Sequence, residues 1–379
     1  MDDARGQDVD GAGYEPAGAA GPGGLYVVRL DRPLEAGEST EVTLDFTVAL
    51  GEGGFDRFGT DAELAWWASG FPLLAWEPGV GWARDPFVAL GGETASSPVA
   101  DTTIQVDAPE RLTVLMTGRQ DDPLAAGPGR RRWTAHEPVA RDVSVAVGPF
   151  QTVDVDTDGV RVTVGVLPDA SVGAEELARS TAAAIDQLTD RFGAFPYETL
   201  TVPAPPDYGG GIEYPSSILM ASGSNRVLVH EVAHMWFYGM VGDSQFRDPW
   251  LDEAFASYAE SVAAVPDPER IERALARDAA VGGSMADYPD DDSYVSAVYG
   301  KGAAALLSAR DAAGPAAFDE ALRCYVDANA WTTATPDDVA DALADLPAAL
   351  DVLVDAGALT PDDLPAEPGT PSGSSPTTD

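Results

Sequence analysis

Along residues 25–166 the hydrophobic positions recur at every second residue. In "EVTLDFTVAL", Val42, Leu44, Phe46, Val48 and Leu50 fall on one face, the period of a strand buried on one side. "TTIQVDAP", "RLTVLMTG", "DVSVAVGPF" and "GVRVTVGVL" continue the series, separated by turn residues at the spacing of a β-sandwich. Between them lie Trp66, Trp67, Trp76 and Trp82, whose size predicts packing in a core or between domains rather than a ligand cage. After Pro168 the period changes to that of a helix. "VGAEELARSTAAAIDQLTDRFG" has acidic residues in its first turn and Gly193 as its stop. Further helical patterns follow near 252–264, 267–280 and 295–312, and two or three short ones over 315–356.

The two ends carry no such period. Residues 1–24, rich in Gly, Ala and acidic residues, read as a disordered segment, and 360–379 as a disordered Pro/Ser/Thr tail. The expected division is therefore a β-sandwich-like unit over 25–166, a second unit over 167–312 and a short helical segment over 313–359. No internal repeat is evident.

Composition narrows the function classes. The net charge is −41, from 63 acidic and 22 basic residues, and Lys301 is the only lysine. Such a surface repels nucleic acid and anionic lipid and excludes both as expected partners. It would attract cationic groups, peptide amino termini included, although solubility alone also accounts for it. No window is long and apolar enough for a membrane span, and the opening residues lack a signal-peptide pattern. Cys324 is alone, so no intramolecular disulfide is expected, and its helical context fits a small core residue. The Pro/Ser/Thr tail and the missing cysteine pairs suit an extracellular or envelope-linked protein, and a cytoplasmic one stays open.

The chemistry concentrates in "VLVHEVAHMWFYGM", residues 227–240, which holds two of the three histidines. His230 and His234 lie one helical turn apart and can present their nitrogens to one ion, with Glu231 placed to hold a water. Two histidines on a buried helix, bonded to backbone groups, are the alternative for this motif alone. Glu253 follows His234 with 18 residues between, at the start of a second helical pattern. His/His/Glu is a standard ligand set for catalytic zinc, which keeps a fourth position open. Seven residues on, Glu260 either reaches a ligand histidine's other ring nitrogen or is a solvated carboxylate.

"HEVAHMWFYGMVGDSQFRDPWLDEAFASYAE" resembles the core of the aminopeptidase N and leukotriene hydrolase family of gluzincin zinc metallopeptidases. "GGGIEYP" stands where that family has Gly-x-Met-Glu-Asn, and "YVSAVYGKGA" resembles its Tyr-x4-Tyr-Glu-Lys-Gly stretch. The four motifs occur in order over residues 205–305. The resemblance implies an α+β multidomain chain: an N-terminal β-sandwich-like domain, a thermolysin-like, mainly α-helical catalytic domain and a short helical C-terminal segment.

It also implies one Zn2+ per chain on His230, His234 and Glu253, with Glu231 as the base. Tyr299 would stabilise the oxyanion, and Tyr294 matches the family's other tyrosine. Glu213 would anchor the substrate's amino terminus, while Gly210 and Gly211 let the backbone approach an extended peptide. Ile212, Tyr214, Pro215 and Gly300 depart from the family pattern without removing a catalytic group. The expected activity is removal of N-terminal residues from peptides with a free amino terminus. A thermolysin-like endopeptidase, a zinc-stabilised binding module and an inactive fragment are the alternatives. The first leaves "GGGIEY" and the Tyr299 segment unexplained.

Overall fold

The computed structural model describes residues 3–6, 8–16, 24–52, 56–92, 96–264 and 267–365. The tail expected over 360–379 lies mostly outside them. The amino-terminal part is β-rich. Its strands are β1 (Asp3–Arg5), β2 (Val9–Pro16), β3 (Gly24–Leu30), β4 (Thr43–Asp45), β5 (Phe58–Asp61), β6 (Leu64–Ala68), β7 (Trp76–Glu77) and β8 (Gly81–Trp82). They continue with β9 (Ala100–Pro109), β10 (Thr113–Met116), β11 (Arg119–Gln120), β12 (Leu124–Ala125), β13 (Arg130–Ala140) and β14 (Ser144–Gly148). One sheet has the order β10-β14-β6-β5, and a second is built on β13, which pairs with β9, β11 and β12. Alternate residues of both sheets, among them Val114, Met116, Ala135 and Val145, form one buried cluster.

Two expectations fail in this region. Residues 3–5 and 9–16 are strands rather than disordered chain, because backbone pairing of β1 with β4 and of β2 with β3 requires no apolar period. The strand read over residues 42–50 shrinks to β4. Among the described residues it pairs with β1 alone, and no second layer covers Val42, Phe46 and Val48, which are exposed. The tryptophans divide. Trp66 is buried against the β6 core, whereas Trp76 and Trp82 stack edge-to-face on an exposed hairpin.

The second part begins earlier than the periodicity implied. Strands β15 (Gln151–Thr157) and β16 (Val160–Val166) join β17 (Thr199–Ala204), β18 (Gly210–Tyr214) and β19 (Ser217–Ala221) in one sheet of order β15-β16-β17-β19-β18. The β16–β17 and β17–β19 pairings are parallel, and α1 (Ala174–Phe192) makes the crossover. A strand assigned to the first unit by alternation alone thus belongs to the sheet that carries the site. Strand β18 lies at its edge.

Helices follow: α2 (Asn225–Ala233), α3 (Trp250–Ala263), α4 (Pro268–Leu275), α5 (Asp291–Val295), α6 (Gly302–Ala313), α7 (Pro315–Ala328), α8 (Pro336–Ala342) and α9 (Pro347–Asp355). A single core runs from the sheet through α1, α2, α3 and α6 to the carboxy-terminal helices. Tyr214 and Leu219 of the β18–β19 hairpin bury themselves with Leu64, Trp66 and Phe150, which joins the two parts. Among the described residues no helix is long and apolar enough to cross a membrane.

Candidate metal centre and active site

Helix α2 starts at Ser224, whose hydroxyl accepts from the Val227 N–H. Leu228, Val229, Val232 and Ala233 bury one face in the main core, which fixes the helix rotation. His230 and His234 then emerge on the same side, their rings 4.7 Å apart. Helix α3 packs across α2 and brings Glu253 to them. Glu253 Oε2 lies 3.2 Å from His230 Nε2 and 3.6 Å from His234 Nε2. These three residues offer ligand atoms within 4.8 Å of one another.

The third element is the edge strand β18. Period-two alternation puts Gly211 and Glu213 on one face. A β-carbon on Gly211 would sit 2.5 Å from Glu231 Cγ, so the absence of a side chain there lets Glu231 lie against the strand. Glu213 Oε2 is 3.9 Å from His234 Nε2. Gly210 pairs with Ala221 and leaves the outer edge of β18 away from β19.

Four buried polar atoms converge here without a hydrogen-bond partner among the described residues: His234 Nε2, Glu253 Oε2, Glu231 Oε2 and Glu213 Oε1. Leaving such atoms unpaired is costly, and a cation held by two imidazoles and a carboxylate removes that cost. The donor set therefore fits a zinc ion.

The electrostatics follow from this crowding. Burial, reinforced by Glu213, holds the Glu231 carboxyl well above its ordinary range. Burial works to lower His234, but Glu213, Asp252 and Glu253 raise it well above the usual value. Burial also pushes against Glu253, yet the two imidazoles bring it below the usual carboxylate range. Tyr299 donates to Glu253 Oε1 at 2.5 Å, and burial with that carboxylate raises its phenol well above normal.

The two remaining site candidates have different surroundings. Glu260 Oε2 lies 3.8 Å from His230 Nδ1, beyond hydrogen-bond reach, and its other oxygen accepts from Arg226. Tyr294 is buried edge-on between Tyr288 and Tyr299.

Sequence reasoning missed Asp252. Its Oδ1 is 2.5 Å from His234 Nδ1, and its Oδ2 accepts from Gln245, which also donates to Asp243. Asp252 is fully buried, and burial lifts its carboxyl to about 6 against the pull of His234. The available signal was its place beside Glu253, because neighbours on a helix point about 100° apart and reach different faces of one ion's surroundings.

Comparison with known proteins gives a family match and a shared fold. The Peptidase family M1 domain matches residues 214–356. Glutamyl aminopeptidase of Bos taurus is 31% identical over 137 residues, 31% of this chain and 14% of that protein. Aminopeptidase N of Streptomyces lividans is 26% identical over 189 residues, 43% of this chain and 21% of that protein. The chain thus spans under a quarter of these relatives. Among solved structures, a two-domain M1 zinc metallopeptidase bound to L-arginine superposes with a TM-score of 0.68 at 20% identity. The superposition covers 93% of this chain and 84% of that one. The M1 zinc metallopeptidase from Deinococcus radiodurans gives 0.67 at 20% identity, covering 94% and 85%. The shared fold has a β-rich first part and a helical second part.

Proposed function

We propose, from the match of residues 214–356 to the Peptidase family M1 domain, that the chain is a member of that family and a zinc-dependent aminopeptidase acting on peptides with a free amino terminus. The observation that carries the reading is that His234, Glu253, Glu231 and Glu213, which fall in overlapping sets of three with ligand atoms within 4.8 Å of one another, each bury a polar atom with no hydrogen-bond partner among the described residues. His230, His234 and Glu253 would hold the zinc, which when bound supplies a Lewis acid that polarises a carbonyl and acidifies a water.

The chain's own residues do the rest. Glu231, buried beside the ligand set, takes the proton of the attacking water and delivers it to the leaving amine. Tyr299 keeps its proton and offers an O–H beside the ligand set, which suits a donor to the developing oxyanion. Glu213 presents a buried carboxylate from the edge strand and pairs with the substrate's ammonium group, a charge that an internal peptide bond lacks. Gly210 and Gly211 leave the strand edge open for an extended peptide to add to the sheet.

The stacking of the β10 and β13 sheets around Val114 and Ala135 supports a sandwich in the first part. The five-stranded sheet packed on α1 and the α2–α3 pair supports a thermolysin-like arrangement in the second.

Glu231→Gln should abolish turnover of an aminoacyl reporter while zinc content by mass spectrometry stays at one per chain. An active Glu231→Gln enzyme would overturn the assignment of the base.

A further inference from the structure

Tyr299 does not sit on an ordinary helix. Residues Ser296–Lys301 form a wide turn of π-helix between α5 and α6. Such turns are rare and lose packing, so they persist where neighbouring groups hold them. Two cations do so here from opposite directions. Arg277, just past the end of α4, donates through Nη1 to the Ser296 carbonyl at 2.9 Å. Lys301, at the other end of the turn, is buried and donates through Nζ to the carbonyls of Arg277 and Ala279, each at 2.9 Å.

The composition singles out the same residue. Of 22 basic residues Lys301 is the sole lysine. Where a cation only faces water, arginine serves equally well. Two carbonyls two residues apart, both reached by one buried Nζ, suit a compact ammonium with three donors better than the wider, planar guanidinium fork.

The glycines on either side complete the fit. A β-carbon on Gly300 would come within 3.0 Å of Arg277 Nη1, so the glycine beside Tyr299 leaves room for the arginine. A β-carbon on Gly302 would lie 2.5 Å from Ala254 Cβ, so α6 can close on α3 beside Glu253. Tyr299 is thereby presented to Glu253 from a backbone anchored at both ends.

We propose that Lys301 and Arg277 form a reciprocal clamp on the 276–281 segment that holds the wide turn carrying Tyr299, which makes both of them positioning residues for the peptide hydrolysis assigned to this site. The inference rests on the role given to Tyr299 above. The clamp acts through Tyr299 and touches no substrate.

The test compares wild type, Tyr299→Phe, Lys301→Met, Lys301→Arg, Arg277→Gln and the Tyr299→Phe/Lys301→Met double variant. Lys301→Met should lower kcat by about 10- to 100-fold with KM within about threefold, the effect of a misplaced group. Lys301→Arg should fail to restore the rate. In the Tyr299→Phe background the same change should cost less than about twofold more, because its route of action is already gone. In zinc-free protein, amide hydrogen exchange over 296–302 should speed up while α1 stays protected.

Full additivity of the two changes, or unchanged exchange over 296–302, would overturn the clamp. If Lys301→Met does not fold, Arg277→Gln, whose side chain is exposed, carries the same comparison with a smaller expected loss. An inactive wild type, or a Tyr299→Phe enzyme as fast as wild type, would strike at the proposed function instead. Hydrogen exchange would then still decide the clamp.

Discussion

His234 holds two contacts that pull in different senses. Its Nε2 faces Glu253 and Glu213, while its Nδ1 is bound by Asp252 at 2.5 Å. The second contact fixes the tautomer, because an Nδ1–H donated to a carboxylate leaves the Nε2 lone pair free for a metal. Asp252→Ala should therefore weaken zinc binding by about 10- to 100-fold, the usual effect of removing such a partner. Competition with a chromophoric chelator reads this directly, and unchanged affinity would rule out that role.

At this scale the sequence was informative about residue types and spacing. His230, His234 and Glu253 do converge. It was silent about Asp252, because which face a helical carboxylate shows depends on how α3 crosses α2. It also offered Glu260 as either a histidine's partner or a solvated carboxylate; Glu260 accepts from Arg226, which no spacing rule pairs with it, and its other oxygen lies 3.8 Å from His230 Nδ1.

Helix α3 is where the site and the core share one element. Its residues 250–259 are buried, and Phe255 stacks between Phe237, Trp250 and Tyr325 two positions after Glu253. Phe255→Ala should cost about 3–5 kcal/mol, the range for deleting a buried aromatic side chain. Urea unfolding followed by tryptophan fluorescence measures it, and a loss below about 1 kcal/mol would mean that the cavity collapses freely.

Elements with a strong period and clear stops were legible: α1 spans the predicted stretch and ends at Gly193, whose φ is 97°. Elements defined by their partners were not. The 42–50 alternation found no covering layer, and β2 formed without any alternation. The wide turn under Tyr299 depends on Arg277 and Lys301 reaching across from other segments, which a local pattern does not encode.

Over the whole molecule, the site exists because three separate stretches meet: the edge strand β18, the α2–α3 pair and the turn before α6. Parallel pairing of β16 with β17 sets the sheet that holds β18, and α1 is its crossover. Alternation alone divided the chain at residue 166, since a strand's period does not say which sheet it joins. The two parts are further tied by Arg141, a buried guanidinium that follows β13 and donates to the carbonyls of Ser97, Gly239 and Thr332. The acidic surface adds a field that favours ammonium groups over anions, consistent with a buried Glu213 at the centre.

The activity proposed for this assembly is removal of N-terminal residues by zinc chemistry, with Glu213 reading the free amine. The most direct measurement compares matched peptides with free and acetylated amino termini, on zinc-loaded protein with and without chelator. Chelator-sensitive release of the first residue from the free-amine peptide alone is the predicted result. Equal cleavage of both peptides, or cleavage that survives zinc removal, would contradict it.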